Sequence, residues 1–292
     1  MEQIVSFQSE GKEIFGILHV PDQPIRQMKV GIIVVRNRTG PHWVFVQAAR
    51  LWCNEGFHVL REDFPGIGDS GGEYRYRYID DFPMHTLPNA VRYFKEHGKM
   101  DKIIIVGMCA GARTTLNSSV ASPDVQHLVL LAMPFSDVSP DSPDEASSQK
   151  IARISSYNAK RYLISYLKLL AKPKEWKRFL SRQCQFSFSF WIMLMNSLLK
   201  RNKNRLFQER VHISLRTFFE RQGHILFVYG GGDLGTPDFM EEFEFLKSAI
   251  PEVELLSEVH LIEGANHVFS RVEWKTDAIK CVTAWLNRQF PI

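Results

Sequence analysis

The sequence predicts an α/β fold: a mostly parallel sheet with helices on both faces, entered through an antiparallel hairpin and interrupted by a helical insertion. Three observations predict it. Apolar runs and helical patterns alternate from residue 29 onward, which is the rhythm of βαβ units. The runs are apolar throughout rather than alternating with polar residues, as parallel strands covered on both faces must be. One long stretch, 139–223, carries helical patterns but no strand-like run, so it reads as an insertion into the series.

The elements follow in order. Residues 4–8 and 13–20 flank Ser9-Glu10-Gly11-Lys12, a hairpin signal. Residues 29–35 form the first buried strand. Residues 42–55 have helical spacing and stop at Gly56, a C-cap signal. A second strand is expected at 57–63, a helix at 83–97 stopped by Gly98, and a third strand at 102–106. A helix starts near Ala110, and strands follow at 125–133 and 224–229. The pattern closes with a helix at 239–250, a short strand at 259–262 and an amphipathic helix at 274–290. The expected organisation is a core of 1–138 and 224–292 with a helical cap at 139–223. The cap would lie over the carboxyl edge of the sheet, where ligands bind in open α/β folds.

Bulk properties narrow the class. Hydrophobic residues are 45% and charged residues 23% of the 292, a globular balance that argues against long disorder. The four cysteines, Cys53, Cys109, Cys184 and Cys281, are far apart. They make neither a metal-ligand spacing nor a disulfide framework, so no metal and no cofactor is expected. A reducing cytoplasm fits, and Met1–Gly11 lacks a basic-then-apolar leader pattern. The longest apolar stretch, 186–199, is shorter than the roughly 20 residues that span a bilayer.

The most informative segment is Ile103-Ile-Ile-Val-Gly107-Met-Cys109-Ala-Gly111-Ala. An apolar strand runs into G-x-C-x-G and then a helical pattern, the arrangement of a nucleophile elbow with cysteine as the nucleophile. The glycines leave room for a tight strand-to-helix turn. The helix N-terminus favours thiolate at Cys109, and the Ala110 N–H is free to join an oxyanion hole. A nucleophile so placed needs a base and an orienting carboxylate, following in the order nucleophile, acid, histidine. Asp233 stands after a strand ending in Gly230-Gly-Gly232, and His267 stands in the loop before the last helix. Asp137, after the fourth parallel strand, is the alternative acid. The second oxyanion donor is expected in the loop after the first parallel strand, from the N–H of Asn37 or Arg38. The glycine-rich 61–72 segment, with Asp69, is expected to shape the site rather than react. His42, near the oxyanion loop, is expected to cap or to face solvent.

With these residues in place the sequence resembles the α/β-hydrolase superfamily over nearly all of the chain outside the cap. More narrowly it resembles the family called exosortase A system-associated hydrolase 1. That resemblance rests on Arg38-Thr-Gly-Pro-His42, on the 59–70 segment Val-Leu-Arg-Glu-Asp-Phe-Pro-Gly-Ile-Gly-Asp-Ser, on Gly107-Met-Cys109 and Gly232-Asp-Leu234, and on 264–270 before Trp274. It implies cysteine at the elbow, Asp233 as the acid and His267 as the base. The chain departs from the family at Ile33–Arg36, which lack its Gly-Gly-Pro character.

A cysteine nucleophile implies an acyl-thioester intermediate. Such an intermediate suits acyl transfer and opening of thioesters, esters or lactones as well as hydrolysis. Charge bears on the partner. Residues 150–224 hold 17 Lys or Arg against 3 Asp or Glu, while the rest holds 19 against 29. The net charge of +4 therefore conceals a strongly basic segment. An acyl substrate on an acidic acyl carrier protein or coenzyme A suits it, as does peripheral contact with an anionic membrane. No nucleic-acid motif accompanies the charge, and none is expected to bind. The competing class is a non-catalytic binding or scaffolding protein of the same fold.

Overall fold

The computed structural model describes residues 1–76, 82–135 and 209–292. Eight strands form one sheet: β1 (Glu2–Ser9), β2 (Lys12–His19), β3 (Val30–Val34), β4 (His58–Glu62), β5 (Lys102–Met108), β6 (Val125–Leu131), β7 (His224–Gly230) and β8 (Ser257–Ile262). Among the described residues the helices are α1 (Val44–Asn54), α2 (Thr86–Gly98), α3 (Ala110–Ser119), α4 (Glu209–Glu220), α5 (Thr236–Ala249), α6 (Glu252–Leu256) and α7 (Val272–Gln289).

The strands lie in the order β1-β2-β4-β3-β5-β6-β7-β8. β1 and β2 pair antiparallel through Ser9↔Lys12, and β2 joins β4 antiparallel. Every pairing from β4 onward is parallel. The hairpin turn is Glu10-Gly11, both at positive φ, the primed geometry that matches strand twist.

Alternate residues of each central strand feed opposite layers. In β5, Ile103 and Ile105 join a core with α2, α3, α4 and α5. Ile104 and Val106 join a second core with α1 and α7. All four are at most 3% exposed. This double burial is why the strands are continuous apolar runs.

Differences from the expected elements are local. β5 extends to Met108, so the strand delivers the chain directly to Cys109. α5 starts at Thr236 with Pro237 in its first turn, a position where proline's missing N–H costs nothing. α6 has five residues, too few for a periodic signal. The predicted cap lies mostly outside the described residues. Its last helix, α4, packs into the core through Val211, Leu215, Phe218 and Phe219, so that end of the stretch is part of the layered body.

The sheet order also fixes where a site forms. β3 is followed by β4 on one side, and the chain then returns to place β5 on the other. Loops leaving the carboxyl ends of β3 and β5 therefore diverge and open a crevice, the usual ligand position in such sheets.

Candidate active site

The turn after β5 builds the floor of that crevice. Cys109 has φ 55° and ψ −124°, a conformation unusual for a side chain and worth about 1–3 kcal/mol of strain. Neighbouring bonds hold it there. Its N–H donates to Leu131 O at 2.9 Å, and its own carbonyl accepts from Ala112 and Arg113 N–H at 3.0 and 3.2 Å. Gly107 is required: a Cβ there would meet Gly111 O at 2.6 Å and Ala112 N at 2.7 Å. The thiol is half-buried and lines a cleft of about 590 Å³ together with Asn37, Ile67, Tyr74, Met108 and His267.

Two further loops meet at this floor. The loop after β7 passes so close to the loop after β8 that a Cβ on Gly230 would lie 2.3 Å from Ala265 O. Gly231 and Gly232 donate their N–H groups to Ile262 O and Ala265 O, both at 2.8 Å. The glycine run exists to permit this clasp. It brings Asp233 Oδ2 to 2.7 Å from His267 Nδ1. Asp233 Oδ1 accepts from Gly235 N–H at 3.1 Å. His267 also lines the cleft beside Cys109, and each of the two shifts the other's ionisation. With Nδ1 on Asp233, its Nε2 is the atom left to face the sulfur.

The electrostatics follow from these contacts. Burial pushes the Cys109 thiol up, but the hydrogen bond and charge of His267, the Ala110 N–H and the Arg36 charge outweigh it and leave it below its ordinary value. His267 is pushed up to about 10, first by its bond to Asp233 and then by Cys109. Burial also raises Asp233, yet His267 and the N–H groups of Gly235 and Leu234 bring it below the ordinary carboxylate value. Opposite charges on Cys109 and His267 thus stabilise each other.

The loop after β3 supplies the opposite wall. Asn37 lines the cleft, and among the described residues its N–H has no partner. Its Oδ1 closes the loop by accepting from Thr39 N–H at 2.9 Å, Thr39 Oγ1 at 2.6 Å and Gly40 N–H at 3.2 Å. Arg38 does not serve as the second oxyanion donor that the sequence left open. Its N–H is committed to Asp63 Oδ1 at 2.8 Å, and its guanidinium pairs with Asp63 at 3.2 Å and with Asp69. Arg38 therefore latches the β3 loop to the glycine-rich turn after β4. Ser70 completes that latch, donating to Asp63 O at 2.7 Å and accepting from Phe15 N–H at 2.9 Å.

Of the other expected residues, Ala110 sits at the start of α3, where its N–H favours the charged form of Cys109. His42 is exposed and outside the cleft lining. Asp137 and Cys184 lie outside the described residues. Sequence reasoning missed Arg36, which lines the same cleft. It has φ 85°, a left-handed conformation costing a non-glycine residue about 1–2 kcal/mol. Its one signal was position, directly after an apolar strand. Among the described residues no cluster of His, Cys, Asp and Glu is arranged to hold a metal ion, and no helix is long and apolar enough to cross a membrane.

A family model described as alpha/beta hydrolase fold matches residues 42–162. No curated protein matches the sequence. Among solved structures, an α/β serine hydrolase without lid from Xanthomonas campestris superposes with a TM-score of 0.59 at 13% identity, covering 100% of this chain and 96% of that one. The ferulic-acid-bound Est1E of Butyrivibrio proteoclasticus gives 0.56 at 14% identity, covering 96% and 98%. The thioesterase domain from the curacin biosynthetic pathway gives 0.54 at 14% identity, covering 97% and 99%. Sheet order, elbow and these likenesses agree: the chain has the α/β-hydrolase fold, an eight-stranded, mostly parallel sheet with an antiparallel N-terminal pair and helices around it.

Proposed function

We propose that this protein is a cysteine-dependent acyl hydrolase or acyl transferase that works through a thioester formed on Cys109. One observation carries the reading: Asp233 Oδ2 holds His267 Nδ1 at 2.7 Å, and His267 shares the floor of one cleft with Cys109 at its strained elbow. Neighbours of the same fold include an α/β serine hydrolase, Est1E with bound ferulic acid and a thioesterase domain. They favour acyl chemistry, and the resemblance to the exosortase-associated hydrolases favours cysteine at the elbow.

The Cys109 thiolate attacks the acyl carbonyl, and the carbonyl oxygen takes the negative charge. The N–H groups of Ala110 and Asn37 stabilise it, as preorganised donors do. The intermediate collapses as the bond to the leaving group breaks, and the His267 imidazolium gives that group its proton. The acyl group is now a thioester of Cys109, and His267 is neutral. It then takes a proton from water or another acceptor, which attacks the thioester and releases Cys109 as thiolate. Asp233 holds the ring and stabilises its charged form. Thioesters yield readily to amines and thiols, so transfer competes with hydrolysis.

The basic 150–224 segment supports an anionic carrier of the acyl group, either an acyl carrier protein or coenzyme A. The test is kinetic. Cys109→Ala should abolish turnover of the acyl esters or thioesters that the wild type accepts, and Cys109→Ser should retain a small fraction. Full activity in Cys109→Ala would leave a non-cysteine mechanism, and no turnover of any acyl substrate by wild type would favour a scaffold.

A further inference from the structure

We infer that Arg36 is an anion-recognition residue of this cleft, and that the acyl group processed there carries a carboxylate. The inference deepens the reading above and rests on it for the site of acylation.

Arg36 differs from other arginines of the fold. Arg38 is paired with Asp63 and Asp69. Arg61 bonds His19 Nε2 at 2.9 Å and the carbonyl of Arg38. Arg26 bonds Glu55 O at 2.8 Å and Asn287. Arg36 lines the cleft beside Cys109, and among the described residues no carboxylate pairs with it.

Its guanidinium is nevertheless held in place. It lies over the Phe82 ring, 4.9 Å from the centroid, an arrangement that favours a cation. Phe82 stacks on Tyr76 at 4.5 Å, and the Tyr76 hydroxyl is tied to Pro65 O at 2.6 Å. The stem of Arg36 crosses the first turn of α3: a Cβ on Gly111 would lie 3.2 Å from Arg36 Cβ and 3.6 Å from its Cδ. The backbone keeps a conformation suited to glycine, yet the residue is arginine.

A cation fixed on an aromatic shelf, beside a nucleophile and in an otherwise largely apolar cleft, matches one substrate form. That form has an apolar acyl stem and one anionic end. The planar fork of a guanidinium fits a carboxylate through two parallel hydrogen bonds. The class is therefore the half-ester or half-thioester of a dicarboxylic acid.

Two measurements test this. The first is the ratio of kcat/KM for the p-nitrophenyl half-ester of glutaric acid to that for neutral p-nitrophenyl valerate. A ratio removes any common loss that follows from altered Cys109 ionisation. Arg36→Met should lower it about 10- to 100-fold, the weight of a charge-assisted hydrogen bond. Arg36→Gly should do the same while relaxing the backbone, so misfolding is not at issue. An unchanged ratio in both variants overturns the inference.

The second is calorimetric binding of glutarate, its monoamide and inorganic phosphate to Cys109→Ala protein with and without Arg36→Gly. Glutarate should bind more tightly than the monoamide, and the preference should vanish without Arg36. Equal binding of both, or binding of phosphate alone, also overturns it. Because this arm needs no nucleophile, a Cys109→Ala protein that turns over normally but binds glutarate through Arg36 would sink the cysteine mechanism and leave the anion site standing.

Discussion

Reactivity at Cys109 depends on how much thiolate is present, and opposing influences set it. Burial opposes the charge, while His267, the Ala110 N–H and Arg36 favour it, and the balance lies below the ordinary thiol value. At Cys53 and Cys281 burial outweighs the positive charge of the N-terminus and of Arg288 respectively and pushes both up, Cys281 to about 11. Near neutral pH, iodoacetamide should therefore alkylate Cys109 well before Cys53 and Cys281, as peptide mapping would record. The pH profile follows from the same groups. Activity should rise with pH as Cys109 ionises and fall as His267 loses its proton, with the basic limb near 10. Asp233→Asn removes the main reason for that high value. It should lower kcat by about 10²–10⁴-fold by losing the ring's tautomer and orientation, and it should move the basic limb down in pH. A basic limb unmoved in this variant would separate Asp233 from the base.

At the scale of elements, sequence and structure agree where the signal is local. The β5 run, the glycines around Cys109 and the glycine run before Asp233 each announce a backbone need that one stretch of chain satisfies. Gly107→Ala tests this, since its Cβ would strike the first turn of α3; the variant should lose activity and melt lower than wild type. What was not legible depends on loops meeting. Arg38 N–H is spent on Asp63, 25 residues away, and no spacing rule reports that. Arg36 in a glycine conformation is equally silent in sequence, because its φ is set by the crevice and not by its neighbours. The packing of α4 into the core was hidden by its position within a strandless stretch. Strand β4 holds another such case. Glu62 is fully buried, both its oxygens lack partners among the described residues, and burial, then Asp63, raises it well above the ordinary value. Between its unfolded and folded values the native state holds a proton that the unfolded chain releases, so stability falls as pH rises through that window. Glu62→Gln should remove this slope and raise stability at pH 8 by about 1–3 kcal/mol. Denaturant titrations at pH 5 and pH 8 would check it; an unchanged slope would mean the carboxyl is not neutral in the fold.

For the whole molecule, charge is distributed far more unevenly than the net +4 suggests, with 17 basic and 3 acidic residues between 150 and 224. Attraction between separated surface charges is screened beyond about 10 Å at ~0.1 M salt. If an acidic carrier presents the acyl group, turnover of carrier-bound substrate should fall steeply with salt, while turnover of a small neutral ester changes little. Reversing Lys172, Lys174 and Lys177 should mimic salt through slower association; equal salt dependence for both substrates would remove the carrier. All of this stands on covalent chemistry at one sulfur. The most direct measurement is intact-mass spectrometry after brief exposure to a panel of acyl thioesters, esters and lactones, followed by peptide mapping. The account predicts a mass gain equal to the acyl group, located on Cys109, reversed by hydroxylamine and absent from Cys109→Ala. Turnover with the acyl group on another residue, or with no acylated protein under conditions that trap thioesters, would contradict it.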